Sequence, residues 1–204
     1  LHLSIRRQRQ MCIRDSPTVE HWLIEDVLEH YNVPYLLREA INDTLSDCKA
    51  TFRLPCGLTD PLDITTGVRQ GDPLSATLFN LALNPLLQRL DAVARANPDE
   101  QPSSGAHAYA DDVDLLANNL DTLLAMWSDT KEYCRITNLT ISRDKTTFIM
   151  NDIATQTVGP RPDLDGVPIT TLPQNDPFRV LGVWFTMDLD WQHHEARALS
   201  QMAG

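Results

Sequence analysis

From Thr18 onward apolar residues recur at helical spacing. Val19, Trp22, Leu23, Val27 and Leu28 fall on one face while Glu20, Glu25, Asp26 and Glu29 point elsewhere, which predicts a packed amphipathic helix. Asn32, Val33 and Pro34 interrupt the pattern, and Leu36, Leu37, Ala40, Ile41 and Leu45 resume it between Tyr35 and Cys48, so two helices meet at a short turn. Lys49 to Leu54 and Leu62 to Thr66 are β-prone runs separated by Pro55, Gly57, Asp60 and Pro61, a spacing that predicts a hairpin. Leu78, Leu81, Leu86 and Leu90 then mark a long helix from Leu74 to about Ala96, with Pro85 threatening a kink.

Asn97 to Gly105 is a polar loop, and beyond it Ala106 to Tyr109 and Val113 to Ala117 flank Ala110, Asp111 and Asp112. The pattern predicts a tight hairpin with acids at its tip. Asn119 fits an N-cap for a helix to about Arg135. Leu139 to Ile141, Thr147 to Met150, Val167 to Ile169 and Phe178 to Phe185 read as strands, Gly159 to Leu164 as a loop, and Trp191 to Gly204 as the start of a helix. The order of elements is that of an α+β fold.

Residues 1–16, LHLSIRRQRQMCIRDS, carry neither helical nor alternating periodicity, and their basic, glutamine-rich composition breaks from the acidic chain that follows. They are expected to be a non-native or disordered leader. RRQRQMCIRDS resembles translated library-adapter sequence, and such scars stand outside fold reasoning; the alternative is a disordered basic arm. Residues 17–190 then form the folded body, and 191–204 the start of a helix that the chain does not finish.

At 204 residues, 42% of them hydrophobic, the chain can bury one substantial core. No run approaches the roughly 18 apolar residues of a membrane span, and no basic-then-apolar leader opens the chain, so a soluble, intracellular protein is expected, without membrane partners. Cys12, Cys48, Cys56 and Cys134 lack the paired spacing of a zinc site, which predicts reduced thiols. His193 and His194 are adjacent and point apart, so no metal is assigned to histidine.

The net charge of −11 argues against a phosphate-binding surface. Without residues 1–16, which hold Arg6, Arg7, Arg9, Arg14 and Asp15, 13 basic and 27 acidic residues remain, a net of −14. Either this part of the molecule holds metal while the basic surface lies on other segments, or nucleic acid is not its partner.

The chemistry-bearing motifs favour the former. Asp111 and Asp112 are hard oxygen ligands at a hairpin, as divalent cations require; acidic pairs are also ordinary turn chemistry. Upstream, Gly67-Val68-Arg69-Gln70-Gly71-Asp72-Pro73-Leu74-Ser75 opens the long helix. Gly71 and Pro73 serve as helix punctuation there, and Gly71 equally lets a base or template backbone approach while Arg69, Gln70 and Ser75 offer donors.

GVRQGDPLSATLFNLALNPLL followed by AYADDVDLLA resembles motifs B and C of reverse transcriptases of the non-LTR retrotransposon type. Leu139 to Thr146 resembles motif D of that family, and Phe178 to Val183 its motif E. The resemblance covers nearly everything from Thr18 to Asp190 and implies a polymerase palm, an antiparallel sheet backed by helices, with fingers and thumb missing. It implies RNA-directed DNA synthesis with an RNA template, a DNA primer and deoxynucleoside triphosphates, through a two-metal site expected to hold Mg2+. By the same resemblance Asp111 and Asp112 are catalytic metal ligands, and Lys145 is the motif D lysine that protonates pyrophosphate. Tyr109 lines the primer side, and Gln70 and Gly71 sit by the template and incoming nucleotide, with Arg69 and Ser75 beside them.

A two-metal palm needs a further carboxylate, which the family takes from motif A. The helix beginning Val19-Glu20-His21-Trp22-Leu23 resembles the motif A exit. Backward alignment puts the metal-binding aspartate near Met11 and the residue that excludes ribonucleotides near Ser16, and neither position holds the expected residue. The resemblance therefore implies a fragment that is inactive as given. The alternatives are a group II intron maturase-type enzyme and a decayed, non-catalytic relic.

Overall fold

The helical spacings read from the sequence become helices close to the expected places, while the β-prone runs pair in ways that spacing alone does not fix. A computed structural model describes residues 3–7, 19–46, 48–55, 57–68, 72–102, 104–150, 161–173, 175–181, 183–186 and 192–202. The described chain divides into two compact units.

One unit takes residues 11–85 and 134–140. Its helices α1 (His21–His30) and α2 (Tyr35–Leu45) are joined by a turn at Asn32, whose φ of 55° lies in the left-handed region. Glu25 on α1 accepts hydrogen bonds from Arg38, at 3.0 Å, and from Asn42 on α2. Leu23, Ile24, Val27 and Leu28 form the buried stripe of α1. Trp22, expected inside, is 46% exposed, because at 3.6 residues per turn it lies on the face opposite the buried stripe of Leu23, Ile24, Val27 and Leu28. Likewise Ile41 and Leu45 are buried on α2 while Leu36 and Leu37 face solvent.

The expected hairpin is a nested ribbon: β2 (Lys49–Ala50) pairs with β5 (Leu62–Asp63), and inside it β3 (Arg53–Leu54) pairs with β4 (Gly57–Leu58). The tight turn at Pro55 thus returns the chain sooner than the composition suggested. Gly67 donates its N–H to Val19 O at 2.7 Å and accepts from His21 Nε2 at 3.0 Å, which ties the segment leading to the next helix onto the start of α1.

Helix α3 (Pro73–Ala96) runs unbroken through Pro85. A proline removes one i→i−4 bond, and the buried neighbours Leu83 and Leu86 keep the helix together across it.

The other unit takes residues 1–10, 86–133 and 141–204. Its five-stranded sheet is built from β1 (Leu3–Arg7), β6 (Gly105–Tyr109), β7 (Asp112–Ala117), β8 (Thr146–Ile149) and β11 (Thr170–Leu172). The strand order is β11-β8-β1-β7-β6. Neighbours are antiparallel except β11 and β8, which are parallel. The expected all-antiparallel sheet is corrected there, because the long connection from Met150 to Ile169 is enough for a crossover. That connection includes the small pair β9 (Asp163–Leu164) and β10 (Val167–Pro168), where a loop and a single strand were expected.

Leu3–Arg7, within the segment expected to be a non-native or disordered leader, forms a strand. It pairs with β7 on one side and β8 on the other. Ladder hydrogen bonds belong to the main chain, and five residues are too few for a periodicity count to register. Leu139 to Ile141, expected to be a strand, is irregular and leads into a 3-10 turn at Arg143–Lys145. Phe178 to Phe185 is a hairpin of β12 (Phe178–Val180) and β13 (Val183–Phe185), bent at Leu181 with φ 47°. Helix α5 (Gln192–Met202) follows, with Arg197 stacked 4.0 Å from the Trp184 ring centroid.

The core of this unit comes from Leu86, Leu90 and Ala94 on α3, from Leu123, Met126 and Trp127 on α4 (Leu120–Ile136), and from Leu115, Ala117, Phe148 and Ile149 on the sheet. Asn119 caps α4 as expected, its Oδ1 accepting the Thr122 N–H at 2.8 Å.

Two contacts brace the acidic hairpin at its base. Gly105 has φ +138°, and a Cβ built there would meet Asp91 Oδ1 at 2.5 Å. That oxygen accepts the Ala106 N–H at 3.2 Å. Gly105→Ala combines strain at positive φ with loss of that bond, and is expected to lower unfolding free energy by about 1–3 kcal/mol, measured by urea denaturation.

Glu100 accepts the Asn118 N–H at 2.6 Å and Asn119 Nδ2 at 2.8 Å, fastening the loop to the far end of β7. Burial alone would raise its carboxyl. The hydrogen bonds it accepts, from Asn118 N–H foremost and from Ser104, Thr122 and Asn119, outweigh burial and hold it below its ordinary value of 4.5. A depressed folded value stabilises fully above the unfolded value, and the contribution is lost as pH falls through the folded value. Glu100→Gln is therefore expected to cost about 1–2 kcal/mol at pH 7. Urea midpoints of the two proteins should converge as the pH is taken below 4.5.

Candidate metal and nucleotide site

The register of β6 and β7 sets the site. Tyr109 pairs with Asp112, leaving Ala110 and Asp111 as a two-residue turn. Such turns favour positive φ at their first central position, and Ala110 takes φ 53°. Asp111 holds the second turn position and Asp112 opens β7. A hairpin tip ordinarily faces water, yet Asp111 and Asp112 are each only 5% exposed, while neighbouring Tyr109 is 54% exposed.

Among the described residues Asp111 Oδ1 is buried with no hydrogen-bond partner. A buried carboxylate oxygen costs several kcal/mol unless something compensates it, and two adjacent carboxylates repel one another. A hard divalent cation answers both demands. The donors fit such an ion: they are oxygens, adjacent, on a backbone fixed by strand pairing. They do not complete a protein ligand set, since no group of three or more His, Cys, Asp and Glu suited to a metal gathers among the described residues. The rest of a coordination sphere would come from water and phosphate oxygens, as magnesium usually arranges.

Residues 18–185 match the family described as reverse transcriptase (RNA-dependent DNA polymerase). The chain belongs to the reverse transcriptase family. It is of the non-LTR retrotransposon type, as its relatives show. It is 28% identical over 181 residues to a retrovirus-related Pol polyprotein from type-1 retrotransposable element R2 of Popillia japonica, a match covering 83% of this chain and 29% of that protein. It is 28% identical over 128 residues to the Pol polyprotein of the type-2 retrotransposable element R2DM of Drosophila melanogaster, covering 63% of this chain and 12% of the relative. Over 106 residues it is 32% identical to the transposon TX1 uncharacterized 149 kDa protein of Xenopus laevis, covering 50% and 8%. This reverse transcriptase chain thus spans less than a third of the length of these relatives.

Of the other sequence-predicted site residues, Lys145 closes the 3-10 turn that feeds β8, half-buried, in the same compact unit as the acid pair. The turn is held by Thr146 Oγ1 donating to Ser142 O at 2.8 Å. Ser75 lies in the first turn of α3, its N–H donating to Asp72 O at 3.1 Å. Arg69, Gln70 and Gly71 lie outside the described residues, as do Met11 and Ser16.

Sequence reasoning missed two residues near these positions. Asp72 caps α3, its Oδ1 accepting the Leu74 N–H at 2.9 Å; an aspartate before a proline at a helix start is the signal that names it. Asp114 lies two residues beyond Asp112 on β7, on the same side of the strand, and pairs in register with His107. No described helix is long and apolar enough to cross a membrane.

Proposed function

We propose that this chain is most of the palm of a non-LTR reverse transcriptase, and that Asp111 and Asp112 hold the divalent cations of a two-metal nucleotidyl transfer. The observation that carries the reading is the buried acid pair at a fixed hairpin tip, with Asp111 Oδ1 lacking a partner among the described residues. Bound Mg2+ would activate a primer hydroxyl and stabilise the leaving pyrophosphate. The chain's own groups position and neutralise, which is most of what phosphoryl transfer asks of a protein. Tyr109, exposed beside the acids, borders the primer. Arg69, Gln70, Gly71 and Ser75 contact the RNA template and the incoming deoxynucleoside triphosphate, and Lys145 delivers a proton to pyrophosphate.

Residues 1–16 are foreign to the parent protein and stand where its third carboxylate belongs, so the chain as given has little or no polymerase activity. The basic grip on nucleic acid lies on other segments of the parent, which makes a net charge of −11 tolerable here. The test exchanges residues 1–16 for a parental fingers and motif A segment and assays primer extension on RNA with Mg2+. Extension that depends on the exchange is expected; a folded exchange protein that extends nothing refutes the reading.

A further inference from the structure

The acidic hairpin carries a second row of side chains that the cation site does not use. Opposed residues of an antiparallel pair project from the same face of a sheet, and the register sets Tyr109 level with Asp112 and His107 level with Asp114. Leu115 and Ala117, which alternate with those acids along β7, are buried in the core. His107, Tyr109, Asp112 and Asp114 therefore share the opposite face, the carboxylates on β7 and the imidazole and phenol on β6.

The two rows differ in exposure and in chemistry. Asp112 is buried and Asp114 half-buried, whereas His107 and Tyr109 are both exposed. β6 ends the strand order, and its residues pass from buried Gly105 to exposed Tyr109, so its hairpin end is a ledge open to solvent. Carboxylates only accept hydrogen bonds, while an imidazole carries an N–H donor in either protonation state and a phenol an O–H. A polyanion drawn to the acids by bound cations meets repulsion over the β7 row and donors over the β6 row. Strand positions two apart are separated by about 6.8 Å, close to two steps of about 3.4 Å along one strand of a duplex.

We propose that His107 is a further primer-contacting residue, its ring donating a hydrogen bond to a phosphate oxygen of the primer strand about two nucleotides behind the one at Tyr109. β6 thereby keeps the primer in line with the acids while the cations hold its reacting end. The contact rests on the reading of Asp111, Asp112 and Tyr109 given above, and extends it to a side chain that lies just before the AYADDVDLLA resemblance.

The test uses the full chain and a short DNA primer annealed to a longer RNA strand, titrated at low salt with Mg2+ and followed by amide resonances. Shifts should gather at Ala106–Asp112. His107→Ala and His107→Phe should each weaken binding about fivefold, the value of one hydrogen bond, while His107→Gln, which keeps an N–H donor, should stay within about twofold of the parent chain. The side chain is exposed, so all three variants are expected to keep the parent's spectrum away from β6. A single uncharged methylphosphonate linkage, moved along the primer, should erase the difference between the parent chain and His107→Ala at one linkage near the 3′ end. Absence of binding, binding that leaves β6 unshifted, equal affinity in His107→Ala, equal loss in His107→Gln, or a difference that no primer linkage erases overturns the proposal. Mn2+ broadening judges the cation reading separately. Broadening at Asp111 and Asp112 with equal primer affinity in His107→Ala leaves that reading standing and overturns the contact, whereas His107-dependent affinity without broadening supports the contact and removes the cations.

Discussion

Asp111→Asn, made in a chain whose residues 1–16 have been exchanged for a parental fingers and motif A segment, is expected to abolish primer extension while leaving the protein folded. Asparagine keeps the size and an acceptor oxygen of the side chain and removes only its charge. The position is a turn residue defined by the Tyr109–Asp112 pair, and its side chain is buried, so the turn tolerates the change. What is lost is the anion that holds a cation against the reacting phosphates. Metal stabilisation of several kcal/mol corresponds to roughly three decades in rate. The loss should fall on kcat, with the KM for nucleotide changing far less, since the interaction is made chiefly in the transition state. Tyr109→Phe, at an exposed neighbour, should cost at most about tenfold. Single-turnover extension of a labelled primer separates the two.

The largest effect on stability is expected from Phe148→Ala. Phe148 is 1% exposed in β8, level with Ile5 on one side and Thr171 on the other. Removing its ring deletes apolar contacts and leaves a cavity that strands pinned on both sides cannot close. The cost is about 3–5 kcal/mol, a large part of the roughly 5–15 kcal/mol that holds a domain together. Leu36→Ala, at a residue 78% exposed, should fall within about 0.5 kcal/mol of the parent protein. Urea unfolding at equilibrium, read by circular dichroism, compares them.

The contrast between Phe148 and Leu36 also shows what the sequence made legible. Helix positions followed from spacing, because burying one stripe of a helix fixes a period that local residues report: Val27, Leu28, Ile41 and Leu45 were expected inside and are. Trp22 and Leu36 were misplaced because apolar side chains on more than one face of a helix leave the choice of buried stripe open, and both lie on the face away from the residues that pack. The acidic hairpin was legible to within one residue: Ala110, Asp111 and Asp112 were expected at the tip, and the turn is Ala110–Asp111 with Asp112 opening β7.

Strand pairing was less legible, because partners are chosen across long separations by main-chain groups that every residue carries. Nothing in Leu3–Arg7 announces a central strand, and nothing in Thr170–Leu172 announces the parallel pair with β8. The burial of Asp111 and Asp112 was likewise beyond spacing: the composition of a turn says that acids suit it, and only the packed sheet decides whether they meet water. The Glu100 and Asp91 braces were missed for a related reason, since each joins residues that are 15 to 19 positions apart.

Manganese titration of the full chain as it stands, followed by paramagnetic broadening of amide resonances, tests most directly whether the acid pair is a cation site. Broadening should begin at Ala110, Asp111 and Asp112, spread outward from the hairpin tip, and vanish in Asp111→Asn with Asp112→Asn. Broadening that is uniform over the acidic surface, or that starts elsewhere and survives both substitutions, would contradict the assignment of the cation to this hairpin.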